Sequence, residues 1–384
     1  MRIGLVSDTY TPQVNGVTTV VRRIVGLLRA EGHEAAVVAP RYPAPAAPAD
    51  GRELRVPSLA MPLYPDIRLS LPAYRRVAEF FDRFAPHVVH VHTEGTLGAA
   101  GREYALRRGL PLVTSYHTNF PQYARHYGLG LLAPAVWRWL ERFHRPARLT
   151  LTPGEAVRHE LARRGIAHAM VWGRGVDTQF FQPARRHPSW RRWLAGGDDT
   201  VIVLHVGRLA REKNLDVLIQ AWHEARQALG QRATFVVAGE GPLAGRVASR
   251  VPFVRQLGFL PREDLATLYA SADLCVFPSH TETCGLVALE AMSSGVPVVA
   301  ADAGGFPENV RSGITGLLVR PDDPSGFAAA TTELVADESR RFGFAAAARE
   351  HALTRDATRE DGELLAHYAE LAGCAERRSA TCAA

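Results

Sequence analysis

The feature that most constrains the fold of this chain is a repeated alternation of short apolar runs with amphipathic helical patterns. Short apolar runs bounded by turn residues are typical of buried strands, and strands alternating with helices are typical of parallel β-α-β units. In the first half the strand-like runs are 3–7, 35–40, 87–92, 110–116 and 147–153, and the helical patterns are 17–32 and about 70–85, 96–109 and 130–145. The pattern therefore predicts an α/β fold built on a parallel sheet.

The second half repeats this alternation after a polar junction at residues 180–200, which contains prolines and arginines. A chain of 384 residues also exceeds the size at which a single core is usual. We therefore predict two Rossmann-like domains that face each other across a cleft. Because open α/β sheets bind ligands beyond the C-terminal ends of their strands, this arrangement predicts a two-substrate site. Our expected boundaries are 1–178 for the first domain, 179–372 for the second and 373–384 for a disordered tail.

The basic residues are unevenly distributed along the chain. Residues 1–178 hold 23 Arg against 14 Asp and Glu, whereas residues 179–384 hold 22 Lys and Arg against 25 Asp and Glu. A basic first half favours an anionic partner such as a phosphate, a nucleic acid or a membrane surface. Because the arginines are dispersed, an arginine-rich composition of ordinary solvated surfaces explains the charge equally well.

The composition also bears on the compartment and on metals. No apolar run reaches the roughly 18 residues of a membrane-spanning helix, and the N-terminus MRIGLVSDTY lacks the apolar segment and cleavage site of a signal peptide. We therefore expect a cytoplasmic protein. The four cysteines form no CxxC pair and have no metal-ligand spacing, so we expect free thiols and no metal.

The stretch VLHVGRLAREKNLDVLI contains Lys213, the single lysine of the chain. Lys213 lies between a strand-like run and a helical pattern, with Asn214 as a candidate N-cap and Arg208 five residues earlier. A helix N-terminus attracts anions, and an arginine fork with a compact ammonium suits a diphosphate. An exposed loop lysine is the alternative. Since the other basic positions of this chain are arginines, the composition favours a functional role for Lys213.

A second segment, SHTETCGLVALEAMSSGVPVVA, places two carboxylates around the start of a helix. Glu282 precedes the helix, whereas Glu290 lies within it among apolar neighbours. A carboxylate accepts two hydrogen bonds from the vicinal hydroxyls of a ribose or hexose, and a buried acid usually has a partner or a ligand. A charge on the helix surface is the alternative for Glu290. The backbone N–H groups expected to hold a phosphate are those around Thr283, Cys284, Gly285, Leu286 and Val287.

These segments resemble the retaining glycosyltransferases of family 4, which have the GT-B fold. GRLAREKN and TETCGLVALEAMSSGVPVVA match in order, with Glu282 and Glu290 in the family's Glu-x7-Glu signature. DTYTPQVNGVTTVVRRI is similar to the donor-facing glycine loop, SYHTNF to the active-site histidine segment and VWGRGVDTQFFQP to the domain-connecting segment. The resemblance covers almost the whole chain. It implies an acceptor-binding first domain and a nucleotide-sugar-binding second domain.

The fold of this family also implies that the last helix, about 357–372, crosses back to the first domain. The family's final helix often carries a tryptophan where it crosses. Residues 351–371 of this chain contain none. We still expect the crossing, with a different means of docking the helix.

The resemblance implies a donor site in the second domain. Arg208 and Lys213 would neutralise the diphosphate of a nucleotide-sugar as it leaves. Glu290 would hold the ribose hydroxyls of the nucleotide, and Glu282 would contact hydroxyls of the transferred sugar. Fixed positive charge aimed at developing negative charge is often the largest catalytic contribution.

In the first domain, the resemblance implies that the Gly16 amide faces the distal phosphate and that His117 contacts the sugar near its reacting face. A structural histidine, satisfied inside the domain, is the alternative for His117. We favour a structural role for His90, because no third ligand completes a metal site with its neighbour on the same strand. The residues expected on the acceptor side are Asp8, Asn15, His92 and Tyr116.

The mechanism implied is retention through an oxocarbenium-like state, with the acceptor attacking on the face from which the diphosphate departs. The leaving diphosphate itself would take the acceptor's proton. Because the chain has no Asp-x-Asp motif, Arg208 and Lys213 are expected to do the work that a metal does elsewhere, and we expect no cofactor.

The donor and acceptor are also suggested by resemblance. Segments 67–72, 115–132 and 172–177 are most similar to GDP-mannose-dependent α-mannosyltransferases, a subgroup that resembles the sulfoquinovosyl- and glucuronosyl-transferases of diacylglycerol. We therefore expect GDP-mannose as the donor and a glycolipid or lipid-linked sugar as the acceptor. The alternative is a UDP-sugar carrying glucose, glucuronic acid or sulfoquinovose, with diacylglycerol or a soluble molecule as the acceptor.

Residues 131–149, LLAPAVWRWLERFHRPARL, interleave aromatic residues with arginines, which is typical of a membrane interface. An ordinary helix packed on the domain core explains the pattern equally well. Any membrane contact is expected to be peripheral, through the first domain and at the inner face of the cell membrane.

Other functional classes fit the sequence less well. A nicotinamide-dependent oxidoreductase needs a complete glycine fingerprint after its first strand, which DTYTPQVNGV is not. A protein that binds nucleic acid or another polyanion gives no reason for Glu282, Glu290 and Lys213 together, so we expect no nucleic acid. Within the same fold, a phosphorylase would need a second lysine for its cofactor. An epimerase would consume a nucleotide-sugar without an acceptor.

Overall fold

The structure is a computed structural model that describes residues 1–13, 15–43, 51–61, 64–117, 133–172, 175–195, 200–282 and 284–382. Its contacts divide the chain into two compact units. The first contains Met1–Trp172 and Glu360–Ala384, and the second contains Gly173–Arg359. The boundary expected after residue 178 lies a few residues beyond this division, and the segment from Glu360 onward belongs to the first unit.

The first unit is built on a parallel sheet with the strand order β3-β2-β1-β6-β7-β8-β9, beside a short antiparallel pair, β4-β5. Its strands are β1 (Arg2–Val6), β2 (Glu34–Pro40), β3 (Glu53–Val56), β4 (Ser58–Met61), β5 (Tyr64–Ser70), β6 (Val88–Val91), β7 (Leu112–Ser115), β8 (Leu149–Thr152) and β9 (Ala169–Val171). Its helices are α1 (Gly16–Ala30), α2 (Tyr74–Phe84), α3 (Thr96–Arg107), α4 (Ala133–His144) and α5 (Glu155–Arg163).

Strand β2 shows why the central strands read as continuous apolar runs. Successive side chains of a strand point to opposite faces of its sheet. Ala35, Val37 and Ala39 pack in the core on one face, whereas Ala36 and Val38 pack in the core on the other. Because both faces of this parallel sheet are covered, the strand has no polar side and its sequence does not alternate.

The second unit is built on a parallel sheet with the strand order β12-β11-β10-β13-β14-β15. Its strands are β10 (Val201–Val206), β11 (Ala233–Ala238), β12 (Arg255–Gln256), β13 (Leu274–Phe277), β14 (Val298–Ala301) and β15 (Gly316–Val319). Its helices are α6 (Pro188–Ala195), α7 (Leu215–Leu229), α8 (Ala244–Arg250), α9 (Arg262–Ser271), α10 (Leu286–Ser293), α11 (Phe306–Asn309), α12 (Pro324–Ala336) and α13 (Glu338–Leu353).

The strand order of each sheet reverses beside the first strand of its unit. β1 lies between β2 and β6, and β10 lies between β11 and β13. Open α/β sheets bind ligands at such switch points, beyond the carboxyl ends of the strands. The loops that follow β1 and β6, and those that follow β10 and β13, are therefore the places in which to look for functional residues.

The last helix, α14 (Ala357–Cys382), packs in the core of the first unit. Leu364, Tyr368 and Ala372 are buried there. The indole N–H of Trp172 donates to the carbonyl of Glu360 at 3.0 Å. The predicted return of the last helix to the first unit is therefore confirmed, and a tryptophan at the end of β9 contacts the helix that itself lacks one.

Helix α14 continues to Cys382, through part of the tail that the sequence predicts to be disordered from residue 373. The segment AERR at 375–378 consists of strong helix formers, and no proline follows to stop the helix. Once a helix is nucleated and packed, each added residue costs little, so a small polar composition did not exclude a helix.

Candidate functional site

The single lysine and the first glutamate of the Glu-x7-Glu motif meet at the switch point of the second sheet. Lys213 lies in a 3₁₀ turn after β10, and Glu282 lies in the loop after β13. The Lys213 ammonium donates a hydrogen bond to Oε1 of Glu282. The side chains are 20% and 17% exposed, so the ion pair is partly shielded and still open to a ligand. The sequence assigned the two residues to different parts of a substrate, and the structure joins them.

Backbone and hydroxyl contacts hold these two loops together. The carbonyl of Glu212 accepts hydrogen bonds from the hydroxyls of Ser279 at 2.9 Å and Thr281 at 3.0 Å. Asn214 occupies the N-cap position of α7, but its amide donates to the carbonyl of Pro278 at 3.3 Å instead of capping the helix. Sequence reasoning missed both hydroxyl residues. In the sequence, the one indication of this role was the position of Ser279 and Thr281 around the end of a predicted strand.

His205, which the sequence analysis also missed, lies buried at the end of β10. Its Nδ1 is 2.8 Å from the carbonyl of Val276, and a carbonyl only accepts, so Nδ1 carries the proton and Nε2 is unprotonated. Burial lowers the pKa of His205 to about 4. The nearby charge of Lys213 lowers it further, whereas the Val276 carbonyl and Glu282 oppose the shift. The imidazole is therefore neutral beside the ion pair.

Helix α10 presents its N-terminus at the same switch point. Gly285 is the N-cap with φ +67, a left-handed conformation that glycine adopts at no steric cost. Among the described residues, no side chain caps this helix, and its first turn contains no acid. Exposed N–H groups at a helix start bind anions. The loop before it is fixed by Asn309, whose amide donates to the carbonyl of Cys284 at 2.5 Å.

Close backbone packing also fixes the position of Glu282. The N–H of Gly305 donates to the Glu282 carbonyl at 2.7 Å. Gly304 has φ +60, and a Cβ there would lie 2.4 Å from that carbonyl oxygen. A side chain at Gly304 would therefore displace the loop that carries the carboxylate.

The remaining donor residues expected from the sequence lie around this point. Arg208 follows β10 by two residues and is exposed. Leu286 and Val287 form the first turn of α10 and are half-buried. Thr283 lies outside the described residues.

Glu290 lies one helix turn further along α10, with its carboxyl enclosed by protein. Burial raises the pKa of Glu290 to about 7, while Tyr269 and Arg262 act in the opposite direction. The prediction that Glu290 is partly buried is confirmed. A raised pKa favours the protonated carboxyl, which is able to donate a hydrogen bond as well as accept one.

Asp8, expected on the acceptor side, caps helix α3 of the first unit. Its Oδ1 accepts from the N–H of Leu97 at 2.8 Å and its Oδ2 from the N–H of Gly98 at 3.2 Å. The hydroxyls of Thr93 and Thr96 donate to the same carboxyl at 2.7 and 3.3 Å. Burial raises the pKa of Asp8, and these four bonds lower it. Both oxygens are thus occupied within the first unit.

Asn15 and Gly16 form the start of helix α1. Oδ1 of Asn15 accepts from the N–H of Thr18 at 2.9 Å, which is a helix N-cap, and its amide donates to Oγ1 of Thr9 at 2.7 Å. Gly16 is the first residue of the helix and is exposed. Its amide therefore lies where an α-helix leaves N–H groups for a ligand.

Tyr116 and His117 follow β7, and their surroundings differ. Tyr116 is fully buried, with its ring parallel to that of Trp137 at 6.5 Å and 6.0 Å from the ring of His144. Burial raises the pKa of the Tyr116 hydroxyl. His117 is 8% exposed, and its Nε2 is 3.2 Å from Nδ1 of His92. The structure therefore places Tyr116 in the core and joins the two histidines.

A further buried polar chain lies behind Tyr116. Nε2 of His144 is 3.2 Å from the carboxylate of Glu94, and its Nδ1 is 2.9 Å from the hydroxyl of Thr114. That hydroxyl is 2.9 Å from the hydroxyl of Thr150 on the next strand. Sequence reasoning missed this chain, because its members come from four separate segments that only the sheet order brings together.

Comparison with known proteins identifies the family. Residues 14–180 match the model of the family described as Glycosyltransferase Family 4, and residues 200–337 match that described as Glycosyl transferases group 1. The GDP-mannose-dependent alpha-mannosyltransferase of Mycolicibacterium smegmatis is 37% identical over 99% of this chain and 100% of its own length. The chain belongs to glycosyltransferase family 4.

Other relatives of this family 4 glycosyltransferase act on different sugars, according to their names. The sulfoquinovosyl transferase of Arabidopsis thaliana is 33% identical over 88% of this chain and 67% of its own length. The alpha-monoglucosyldiacylglycerol synthase of Streptococcus pneumoniae is 27% identical over 78% of this chain and 71% of its own length.

Solved structures show that this family 4 glycosyltransferase has the GT-B fold. The Anabaena protein HepE in complex with UDP has a TM-score of 0.77 at 21% identity and covers 96% of this chain and 100% of its own. The sucrose-phosphate synthase of Thermosynechococcus elongatus has a TM-score of 0.77 at 20% identity and covers 97% and 99%. The predicted fold, family and enzyme class are confirmed, and the oxidoreductase and polyanion-binding classes are set aside. The residue roles stay predictions.

Proposed function

We propose that this protein is a retaining mannosyltransferase that moves mannose from GDP-mannose to a glycolipid or lipid-linked sugar. The observation that carries the proposal is the Lys213–Glu282 ion pair, located at a sheet switch point beside the N-terminus of α10. A fixed cation and the N–H groups of a helix start together suit the diphosphate of a nucleotide-sugar.

The donor site is proposed in the second unit. Lys213 and Arg208 bind the diphosphate and neutralise the charge that develops as it leaves. Glu282 holds the lysine ammonium in place and, when the donor binds, accepts hydrogen bonds from hydroxyls of the sugar. The ionised form of Glu290 accepts hydrogen bonds from the two ribose hydroxyls. The N–H groups of α10 and its preceding loop contact a phosphate.

In the first unit, the proposed contacts are fewer. The amide of Gly16, at the start of α1, faces the distal phosphate, and His117 contacts the transferred sugar. Asp8 and Asn15 act as helix caps that fix the loop after β1. His92 contacts His117 and supports it from within the fold.

The reaction proceeds by departure of the diphosphate and attack of the acceptor hydroxyl on the same face of the sugar. The bond between the anomeric carbon and the phosphate oxygen breaks, and a bond from that carbon to the acceptor oxygen forms. The leaving diphosphate takes the acceptor's proton, so no protein base is required. Positive charge fixed in advance lowers the barrier, since it needs no reorganisation during the reaction.

GDP-mannose is proposed because relatives named for it are similar over nearly the whole chain, among them that of Mycobacterium tuberculosis at 37% identity over 97% of this chain. A UDP-sugar is the second candidate, because HepE was solved with UDP and because the sulfoquinovosyl transferase of Arabidopsis thaliana is also a relative. The two candidate donors, GDP-mannose and a UDP-sugar, differ in the base of their nucleotide.

A lipid acceptor, used at the inner face of the cell membrane, is supported by the exposed surface of α4. Arg138, Trp139 and Arg142 are exposed on this helix, and Arg145 follows it. A cavity of about 450 Å³ is lined by Arg102, Arg138, Glu141, Arg142, Arg145 and Pro146. Each arginine near an anionic bilayer contributes about 1 kcal/mol to peripheral binding. In the described part of the chain, no helix is both long and apolar enough to span a bilayer.

The proposal is tested with purified protein and a panel of GDP-, UDP- and ADP-sugars, by measuring release of the nucleoside diphosphate with and without lipid vesicles. We expect GDP-mannose to be the preferred donor and vesicles that contain a diacylglycerol-based glycolipid to accelerate release. Preference for a UDP-sugar would replace the donor and keep the enzyme class.

Vesicle binding is measured separately with anionic and neutral lipids. We expect the anionic vesicles alone to bind, and the triple change of Arg138, Arg142 and Arg145 to glutamine to weaken that binding. Equal binding of the triple variant would contradict the proposed role of α4.

A further inference from the structure

The buried histidines of the first unit form a connected row that leads from the last helix to His117. Nδ1 of His90 is 2.6 Å from the hydroxyl of Tyr368 on α14, and its Nε2 is 2.7 Å from the hydroxyl of Ser115. The ring of His92 lies 3.9 Å from that of His90. Nδ1 of His92 then meets Nε2 of His117 at 3.2 Å. The proposed function uses only the last member of this row.

His90 is a neutral member of the row. Its ring is fully buried, and both its nitrogens face hydroxyl groups. Burial holds the pKa of His90 well below its ordinary value, and His92 and His117 lower it further. A neutral imidazole has one donor and one acceptor, which the two hydroxyls are able to match in either orientation. His90 therefore gives His92 an uncharged surface against which to pack.

The contact between His92 and His117 has the geometry of a hydrogen bond in the plane of both rings. The ring planes differ by 11°, and the centroids are 5.5 Å apart, which equals the 3.2 Å contact extended by the radius of each ring. The N–H and lone-pair directions of an imidazole lie in its plane. The contact is thus an N–H···N bond that runs edge to edge.

Such a bond ties the protonation of one ring to that of the other. One nitrogen must donate and the other must accept, because two protonated nitrogens would repel and two lone pairs would not bond. If His117 accepts at Nε2, a neutral His117 carries its proton on Nδ1. If it donates from Nε2, its Nδ1 is an acceptor. For a neutral His117, the direction of its bond with His92 therefore fixes whether Nδ1 offers a donor or an acceptor to a substrate.

We infer that His92 is a positioning residue that fixes the tautomer and the ring orientation of His117. Its catalytic consequence rests on the proposed transferase function, in which His117 contacts the sugar. The tautomer itself does not depend on that function, since the row of histidines is complete within the first unit.

The test compares His92→Asn with His92→Leu. The two side chains have the same number of heavy atoms and branch at the same carbon, and the asparagine amide reaches the position of Nδ1, so only the first variant keeps a hydrogen bond to His117. The tautomer of His117 is read from the ring nitrogen shifts of protein labelled with ¹⁵N-histidine, with His117→Gln used to assign the signals. No substrate is present in this measurement.

We expect one tautomer of His117 in the wild type and in His92→Asn, and a mixture or the other tautomer in His92→Leu. With the preferred nucleotide-sugar, loss of one hydrogen bond lowers kcat by up to about tenfold in His92→Leu, with a smaller change in the donor KM. His92→Asn restores most of kcat. A role in packing alone would leave the leucine variant at least as active as the asparagine variant.

The ¹⁵N signals of His117 in the leucine variant decide the inference. Unchanged signals in folded His92→Leu would overturn it. If His92→Leu does not fold, His92→Gln replaces it, because the glutamine amide reaches the Nε2 position and again leaves His117 without this partner. Failure of the wild type to turn over any nucleotide-sugar would overturn the proposed function and leave the tautomer result standing.

Discussion

The loops at the switch points of the two sheets lie in equivalent places and hold their polar groups in opposite ways. In the second unit, the Lys213–Glu282 ion pair is partly exposed beside a helix start that no described side chain caps. In the first unit, Asp8 and His90 are enclosed and bonded to groups of their own unit. The same topology thus supports a partly exposed ion pair in one unit and enclosed, hydrogen-bonded polar groups in the other.

The difference between the two units follows from the free energy that burying a charged group requires. A buried charge is stable only when paired or neutralised, so His90 is buried as a hydrogen-bonded neutral ring. A partly exposed ion pair keeps some contact with water and is able to exchange partners with a ligand. A charge that is partly exposed is able to bind an anionic ligand such as a diphosphate. The enclosed groups of the first unit fix the shape of the protein surface instead.

The largest effect expected is that of Lys213→Met in the second unit. Removing one fixed charge that stabilises a leaving group typically lowers the rate about 100- to 1000-fold. We expect a loss of this size in kcat for release of the nucleoside diphosphate. Arg211→Met is the matched control, because Arg211 lies in the same 3₁₀ turn, is exposed and carries the same charge.

Both variants should keep the unfolding temperature of the wild type within a few degrees, which circular dichroism measures. Near-normal turnover of Lys213→Met would end the assignment of a catalytic charge to the second unit. Equal losses in both variants would show that the charge acts through the general field of the surface rather than at one position.

A smaller effect, on stability, is expected for Tyr368→Phe in the first unit. The change removes the hydroxyl that faces Nδ1 of buried His90, and an unsatisfied buried polar group costs about 1–3 kcal/mol in the free energy of unfolding. Denaturant titration measures this loss. Tyr104→Phe is the control, since its hydroxyl donates to Asp82, whose side chain is 41% exposed and able to bond to water instead.

Equal stability losses in the two tyrosine variants would contradict the view that the first unit depends on enclosed hydrogen bonds. A loss confined to Tyr368→Phe would support it. It would also show that the helix returning from residue 357 is held by a specific polar contact as well as by apolar packing.

Local patterns explain what the sequence predicted well. Strand and helix periods, and a motif contained within residues 279–300, placed Lys213 and Glu282 near the ends of strands, and Glu290 in the helix that follows, without any knowledge of the fold. Contacts between distant segments could not be read in this way. The Lys213–Glu282 pair and the His92–His117 bond depend on which strands are neighbours, and the capping role of Asp8 depends on where α3 begins.

The smallest effect expected concerns Glu290. It tests whether the carboxyl of Glu290 acts in the second unit through its charge or through its shape. Burial raises the pKa of Glu290 from 4.5 to about 7. Between these values the folded state holds a proton that a solvated glutamate in the unfolded chain has released. The contribution of Glu290 to stability is therefore fully present below pH 4.5 and is lost as the pH rises through about 7. Glu290→Gln should lack this part of the pH dependence in denaturant titrations.

Ligand binding should change with pH in the opposite direction. If ribose hydroxyls donate to the carboxylate, the nucleotide binds the ionised form, and its dissociation constant falls by up to about tenfold as the pH rises from about 6 to 8. The terminal phosphate of a nucleoside diphosphate titrates in the same range, so the difference between wild type and Glu290→Gln is the informative quantity in calorimetry.

Glu263→Gln, an exposed glutamate on neighbouring helix α9, should bind the nucleotide with the pH dependence of the wild type. If Glu290→Gln also matches the wild type at every pH, Glu290 does not accept hydrogen bonds from the nucleotide and acts as a buried neutral acid beside Tyr269. In that case the charge that binds the ligand in the second unit is confined to the Lys213 turn, and the carboxyl of α10 is closer in character to the enclosed groups of the first unit.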